Sequence, residues 1–174
     1  MSDAPEFSRP VSLTRLGSEP IRREVRATIA ERAALARRFD LVSLDRLEAA
    51  VELVRQDQRL ILMRAQFEAT FEQICTVTLD PIAGALAEQF TLVYGPPDAE
   101  DDAAALIGDE VAFEPLVGEA IDIGEAIAQE FSLALPPFPR SPDTAVESQP
   151  PTAEDAGPFA ALSRLFERNG RDPN

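Results

Sequence analysis

The sequence predicts an α+β fold in which an antiparallel β-sheet, a meander of long strands, packs with two or three short helices. Three observations point there. From residue 61 to 72 the odd positions Ile61, Met63, Ala65, Phe67, Ala69 and Phe71 are apolar, and from Arg64 onward the even positions are polar. That period-two pattern is a strand buried on one face. Residues 86–94 alternate again, Leu86, Phe90, Leu92 and Tyr94 against Ala87, Gln89, Thr91 and Val93, until Gly95-Pro96-Pro97 ends the run. Strands joined this closely must be antiparallel neighbours. Finally, two helix-start signals flank the strands, Thr28 with Glu31 and Asp122 with Glu125.

Taken in order, residues 6–13 alternate weakly and read as a short edge strand, where the missing donor of Pro10 is tolerated. Thr28-Ile29-Ala30-Glu31 is a capping box opening a helix to about Phe39, with Ile29, Ala33, Leu35, Ala36 and Phe39 expected inside. Residues 44–55 fit two periods: Leu44, Leu47, Val51 and Val54 are helical, whereas Leu47, Ala49, Val51 and Leu53 alternate. Local pattern alone leans toward helix. The central strand breaks phase once at Gln73, then Cys75, Val77 and Leu79 resume it, so it is expected to extend toward a turn at Asp80-Pro81. Residues 97–102 are polar and acidic and read as a loop, and Phe113, Pro115 and Val117 as a short strand. Asp122 caps a helix carrying Ile123, Ile127 and Phe131 on one face and stopping at Pro136-Pro137. One domain over residues 1–137 is thus expected. A disordered linker rich in Pro, Ser and acids follows over 138–157, and a short helical tail over 158–174 carries Phe159, Leu162 and Phe166 on one face.

A chain of 174 residues, 45% hydrophobic and 27% charged, can bury one moderate core. It contains no uncharged apolar run near the roughly 18 residues a membrane span needs, so no membrane partner is expected. The start of the chain has neither a basic nor an apolar region to serve as a secretory signal, and a cytoplasmic location is expected. One cysteine and no histidine supply neither a disulfide nor a metal-ligand set, and no cofactor is expected. Net charge is −15, unevenly spread: residues 1–64 hold 12 Arg against 10 acids, and residues 65–139 hold 15 acids and no base. Every basic residue is Arg, which fits an Ala-rich base composition better than selection for bidentate contacts.

The order of these elements resembles the YceD family, the large ribosomal RNA accumulation proteins. The segments carrying the resemblance are Cys75-Thr76-Val77-Thr78-Leu79-Asp80-Pro81, Ile121-Asp122-Ile123-Gly124-Glu125 through Leu133-Ala134-Leu135-Pro136-Pro137, and Pro158-Phe159-Ala160-Ala161-Leu162. It covers most of residues 10–166. The resemblance implies a non-enzymatic role in making or maintaining large-subunit ribosomal RNA during ribosome assembly. It also implies a strand over residues 44–55, which supplies the partner that the central strand needs on its other edge. Many family members carry Cys-x-x-Cys where this chain has Cys75 and Thr78, with a further Cys pair after the proline-rich segment, where Pro139-Arg140-Ser141-Pro142 offers none. Metal binding therefore does not carry over, and Cys75 reads as a small buried hydrophobe.

Three function classes remain to be weighed. Catalysis without histidine would rest on carboxylates, but Asp101-Asp102 and Asp109-Glu110 lie in solvated surroundings that raise neither pKa, and Asp98, Glu100, Asp101 and Asp102 lack the glycine and terminal Glu of an EF-hand. No enzyme and no small-molecule substrate are expected. Contact with large-subunit ribosomal RNA would fall to Arg22, Arg23, Arg26, Arg32, Arg37 and Arg38. Contact with a basic ribosomal protein would fall to Glu68, Glu72 and Glu88, helped by Phe159, Leu162 and Phe166. The expected function is support of large-subunit ribosomal RNA accumulation through one or both partners. The alternative is an acidic interaction module or chaperone with no RNA contact. Since Cys75 has no companion ligand, a chelator should leave the melting temperature unchanged; a fall of several degrees, restored by zinc, would refute metal-free folding.

Overall fold

The computed structural model describes residues 5–17, 19–107 and 111–142. In chain order its elements are β1 (Pro10–Ser12), β2 (Ile21–Arg26), α1 (Ile29–Arg38), β3 (Ser43–Arg55), β4 (Ile61–Ile74), β5 (Pro81–Gly95), α2 (Glu100–Ile107), β6 (Ala112–Pro115), β7 (Ala120–Asp122) and α3 (Ile123–Ala134), with single 3-10 turns at Leu13–Arg15 and Pro97–Ala99. The fold is α+β, as expected. A five-stranded sheet has the order β2-β3-β4-β5-β6, and β1 pairs with β7 in a separate two-stranded ribbon.

β3, β4 and β5 form the antiparallel meander, with Val51 opposite Ala65 and Met63 opposite Leu92. Residues 44–55 are strand. Their helix-like spacing has a physical cause in a register shift between Leu44 and Arg46, a bulge that lets Leu44 and Leu47, an odd number apart, both reach the core. β2 was not anticipated. Only Ile21 and Val25 are apolar in it, because it is an edge strand whose other residues face water. β6 runs parallel to β5, which ends the meander. A parallel neighbour needs a crossover, and α2 supplies it.

That crossover corrects the loop reading of residues 97–102. Pro97 begins the turn, and Asp98, Glu100, Asp101 and Asp102 fall in first turns, where carboxylates suit the positive end of the helix. Ala99 and Ala103 bury against Leu60, Leu62 and Val93. The acids thus mark a helix start, with Arg59 held 2.7 Å from Asp98 and 2.8 Å from Asp102. A second correction concerns β4, which ends at Ile74. Cys75–Asp80 is a turn closed by Cys75 N donating to Asp80 O at 2.9 Å and Leu79 N donating to Cys75 O at 3.0 Å, with Leu79 at φ 63°. Val77 and Leu79 are therefore exposed and have left the strand phase.

α1 has the expected capping box, but Ile29, its first residue, is 79% exposed; Leu35 and Ala36 are the buried positions. α3 covers the odd-numbered face of the sheet with Ile123, Ile127 and Phe131. Phe131 packs edge-on against Phe39, Phe67 and Phe71, with ring centroids 5.9, 6.2 and 5.7 Å away. The Asp122 carboxylate caps α3 through the amides of Gly124 and Glu125, at 3.0 and 3.2 Å, and also accepts from Ser8 Oγ and, at 2.7 Å, from Arg9 N. One side chain thus starts the helix and ties the N-terminal strand across it. The tail helix with Phe159, Leu162 and Phe166, and the linker beyond Pro142, lie outside the described residues.

Gly124 is where the segment leading into β1 crosses α3, and a Cβ there would run into the Phe7 carbonyl. Ala is ordinarily about 1 kcal/mol better than Gly within a helix. Gly124→Ala is expected to destabilise instead, seen as a lower urea midpoint, and a raised midpoint would remove the close approach from the account.

Candidate functional site

The sheet has one covered face and one open face, and pairing decides which side chains share the open one. Arg22 sits opposite Glu52 and Arg26 opposite Glu48 across β2 and β3. Arg64 sits opposite Glu52, and Glu68 opposite Glu48, across β3 and β4. The side chains then pair off. Arg22 Nε lies 2.9 Å from Glu52, whose other oxygen is 3.8 Å from Arg64. Glu48 lies 3.7 Å from Arg26 and 3.0 Å from Arg46, and Arg46 reaches Glu68 at 3.1 Å. This is a mixed ionic lattice of four arginines and three glutamates, with one positive charge in excess. Arg46 and Arg64 were not singled out from sequence, although Arg64 stands in the polar phase of its strand.

The six arginines named for RNA contact are not brought together. Arg22 and Arg26 belong to that lattice. Arg23, opposite Val51, faces the other way and donates to the Arg22 carbonyl at 2.9 Å. Arg32, Arg37 and Arg38 stand on α1. Arg38 is a structural tie, donating to Glu125 at 2.7 and 2.9 Å and to Glu6 at 3.0 Å while stacking 5.2 Å from the Phe39 ring centroid. The Glu125 hydrogen bonds, then its charge and that of Glu6, push the Arg38 pKa further up. Arg32 Nε is buried without a partner among the described residues. Arg37 is exposed.

The acids behave differently. Glu68 and Glu72 project from the open face of β4, whereas Glu88, opposite Phe67, belongs to the other face. Glu88 lies in β5 itself, and Glu68 and Glu72 border it, opposite Ala87 and Ala83. Near the end of β5, burial and then the carboxylates of Glu114 and Glu130 push the Tyr94 pKa up. Burial and Glu114 likewise raise Glu130. Acid thus stands beside acid at Glu114 and Glu130, whereas Glu68 on the open face is offset by Arg46.

The Cys75 turn is brought against residues 139–141. Thr76 N and Thr76 Oγ1 donate to Pro139 O at 2.9 and 3.1 Å, and Cys75 Sγ accepts from Thr78 N at 3.5 Å and Ser141 N at 3.4 Å. Residues 139–141, expected to begin the linker, are thus hydrogen-bonded to the domain. Hydrogen bonding from Thr78, then from the Ser141 and Val77 amides, holds the Cys75 thiol down to about 6. The sulfur is 0% exposed. Its cover is a thin shell of turn backbone, not the depth of the core, which is why these bonds outweigh burial. Among the described residues no group of three or more His, Cys, Asp and Glu is placed to hold a metal ion, and no helix is long and apolar enough to cross a membrane.

Residues 63–165 match the family model described as "Large ribosomal RNA subunit accumulation protein YceD". No curated protein and no solved structure matches the chain.

The other tie between the N-terminal strand and α1 gives a pH test. Arg9 donates to both Glu31 oxygens at 2.7 and 2.9 Å, and Thr28 N donates to Glu31 at 2.7 Å. The Arg9 hydrogen bonds, with those from Thr28, hold Glu31 down to about 2 against an ordinary 4.5, although partial burial acts the other way. A folded value below the unfolded one means that the unfolded chain takes up the proton first on acidification. The contact therefore adds stability above pH 4.5 that fades as the pH falls toward 2. Glu31→Gln should flatten this part of the stability–pH curve, and an unchanged slope between those values would refute the linkage.

Proposed function

Because the chain belongs to the YceD family of large ribosomal RNA subunit accumulation proteins, we propose that it supports large-subunit ribosomal RNA accumulation without catalysis, by holding a basic ribosomal protein. The observation that carries this reading is where the charges go. Arg22, Arg26 and Arg38 are neutralised by Glu52, Glu48 and the Glu6–Glu125 pair, and Arg23 faces away from Arg22 and Arg26. Phosphate binding needs several uncompensated cations on one surface. The strands around β5 are the opposite case: Glu68 is shared with Arg46, but Glu72 on one face and Glu88 on the other have no ion pair among the described residues. Such carboxylates speed encounter with a cationic protein and select for it.

No catalytic role is assigned. Asp101 and Asp102 are exposed on α2, where water solvates both carboxylates, and Asp102 is paired with Arg59. A chaperone-like hold on a basic protein needs no chemistry. It keeps a cationic chain from non-specific phosphate contact until that chain reaches its own site, and the site of action is the compartment where the ribosome is built.

The test uses the whole protein and purified basic large-subunit ribosomal proteins, after nuclease treatment and at low salt. Glu72→Gln combined with Glu88→Gln should reduce retention several-fold, and rising salt should weaken the remainder by screening. Arg23→Glu combined with Arg37→Glu should leave retention unchanged. If nuclease releases the basic protein, or if the arginine reversals lower large-subunit ribosomal RNA in cells, direct RNA contact replaces this reading.

A further inference from the structure

We infer that the outer edge of β5, over residues 81–91, receives an extended Lys- or Arg-bearing segment of a partner protein as an added strand. This rests on the basic-partner reading above and gives it a place and a binding mode. β4 pairs with β5 from Pro81 through Tyr94, but β6 covers the other side only at residues 92–95. Among the described residues nothing pairs with the remainder. That edge presents a row of backbone donors and acceptors, the template for strand addition.

Natural sheets blunt such edges with charge, bulges, proline or short length. Here the strand spans 15 residues and its pairing with β4 shows no register shift. Glu88 is the only charged residue in it, and its proline stands at the first position. Ile82, Leu86 and Phe90 line one side of the edge, half-buried. Ala83, Ala85 and Ala87 line the other, where a neighbouring strand meets almost no side-chain obstruction.

The identity of the occupant follows from charge. Ala83 stands opposite Glu72 and Ala87 opposite Glu68. A strand added beyond β5 lies two strand spacings from β4, about 10 Å. Over those two methyl groups a Lys or Arg side chain reaches toward the Glu72 and Glu68 carboxylates, and Glu88 awaits a third cation on the opposite face. Glu68 is already shared with Arg46, at 3.1 Å, while Glu72 and Glu88 have no ion pair among the described residues. A second copy of this chain would bring the same three acids against themselves, so self-pairing is disfavoured where a basic strand is favoured.

The probe is a fluorescent peptide of alternating Lys and Val, with two derivatives N-methylated at one or the other set of alternate amides. Titrated into the full chain at low salt, the parent should bind, and only one methylated derivative should lose roughly tenfold or more in affinity, because only alternate amides face the docking edge. Ala83→Lys combined with Ala87→Lys sets cations opposite Glu72 and Glu68. It should abolish peptide binding while keeping or raising the melting temperature, which separates loss of the site from loss of the fold. The inference is overturned if the parent peptide does not bind, if both derivatives bind alike, or if the double variant binds as wild type does. Equal retention of the basic ribosomal protein by wild type and double variant would overturn the edge and leave the basic-partner reading standing. Peptide bound at the edge with no ribosomal protein retained would do the reverse.

Discussion

A sheet whose central strand carries Phe67, Ala69 and Phe71 on one side cannot leave that side in water, and the rest of the molecule is arranged around covering it. Phe131 shares this with Ile123 and Ile127 of the same helix, meeting Phe67 and Phe71 from β4 and Phe39 from the end of α1 in edge-on contacts. Its position depends on where α3 begins. Asp122 fixes that start, and the same carboxylate draws in the N-terminal strand through Ser8 and Arg9. Gly124 lets the segment leading into β1 pass at backbone contact, and Arg38 closes the arrangement by joining Glu6 ahead of β1 to Glu125 on α3. Three ties converge on one helix turn, so the orientation of the cover over the core is set from several independent directions.

The opposite face needs no cover, and its charges decide what it can do. A lattice of four arginines and three glutamates over β2, β3 and β4 is close to neutral, with one positive charge in excess. Exposed pairs of this kind contribute little stability each, about 0–1 kcal/mol. Their consequence is electrostatic: they withdraw cations that would otherwise draw phosphate, and they leave the net −15 to be expressed elsewhere. It is expressed along β5 and toward Glu114 and Glu130, where burial, and then neighbouring carboxylates, raise the proton affinity of Tyr94 and Glu130. The Cys75 turn lies at the opposite end of the β4–β5 hairpin from Tyr94, where it joins Ile74 to Pro81. Thr76 N donating to the Pro139 carbonyl and Ser141 N donating to Cys75 Sγ hold this junction closed.

Much of this was legible in the chain. The alternation of β4, the capping box of α1 and the Asp122 cap of α3 are local signals, each satisfied within a few residues by backbone geometry, and each predicts its element. One ambiguity and two failures share a different character. The bulge at Leu44 and Arg46 inserts a residue into β3 and makes a strand read as a helix until its partner in β4 is known. The acids of residues 98–102 look like a solvated loop because the reason for helix there, Ala99 and Ala103 against Leu60, Leu62 and Val93, lies in other strands. Cys75, Val77 and Leu79 keep a strand phase by composition alone, while hydrogen bonds across Cys75–Asp80 turn the chain before it can be used.

The candidate site divides the same way. The sequence by itself determined the fold class, the covered face and the separation of charge, because periodicity and composition act through burial and net field, which sum over residues without regard to partner. Only the tertiary structure decided which charges are free. Arg22 meets Glu52 across 30 positions and Arg38 meets Glu125 across 87, and the pairing register alone sets Glu68 and Glu72 on one side of β5 and Glu88 on the other. An ion pair forms between side chains that share a few ångströms of space, and distance along the chain carries no information about that.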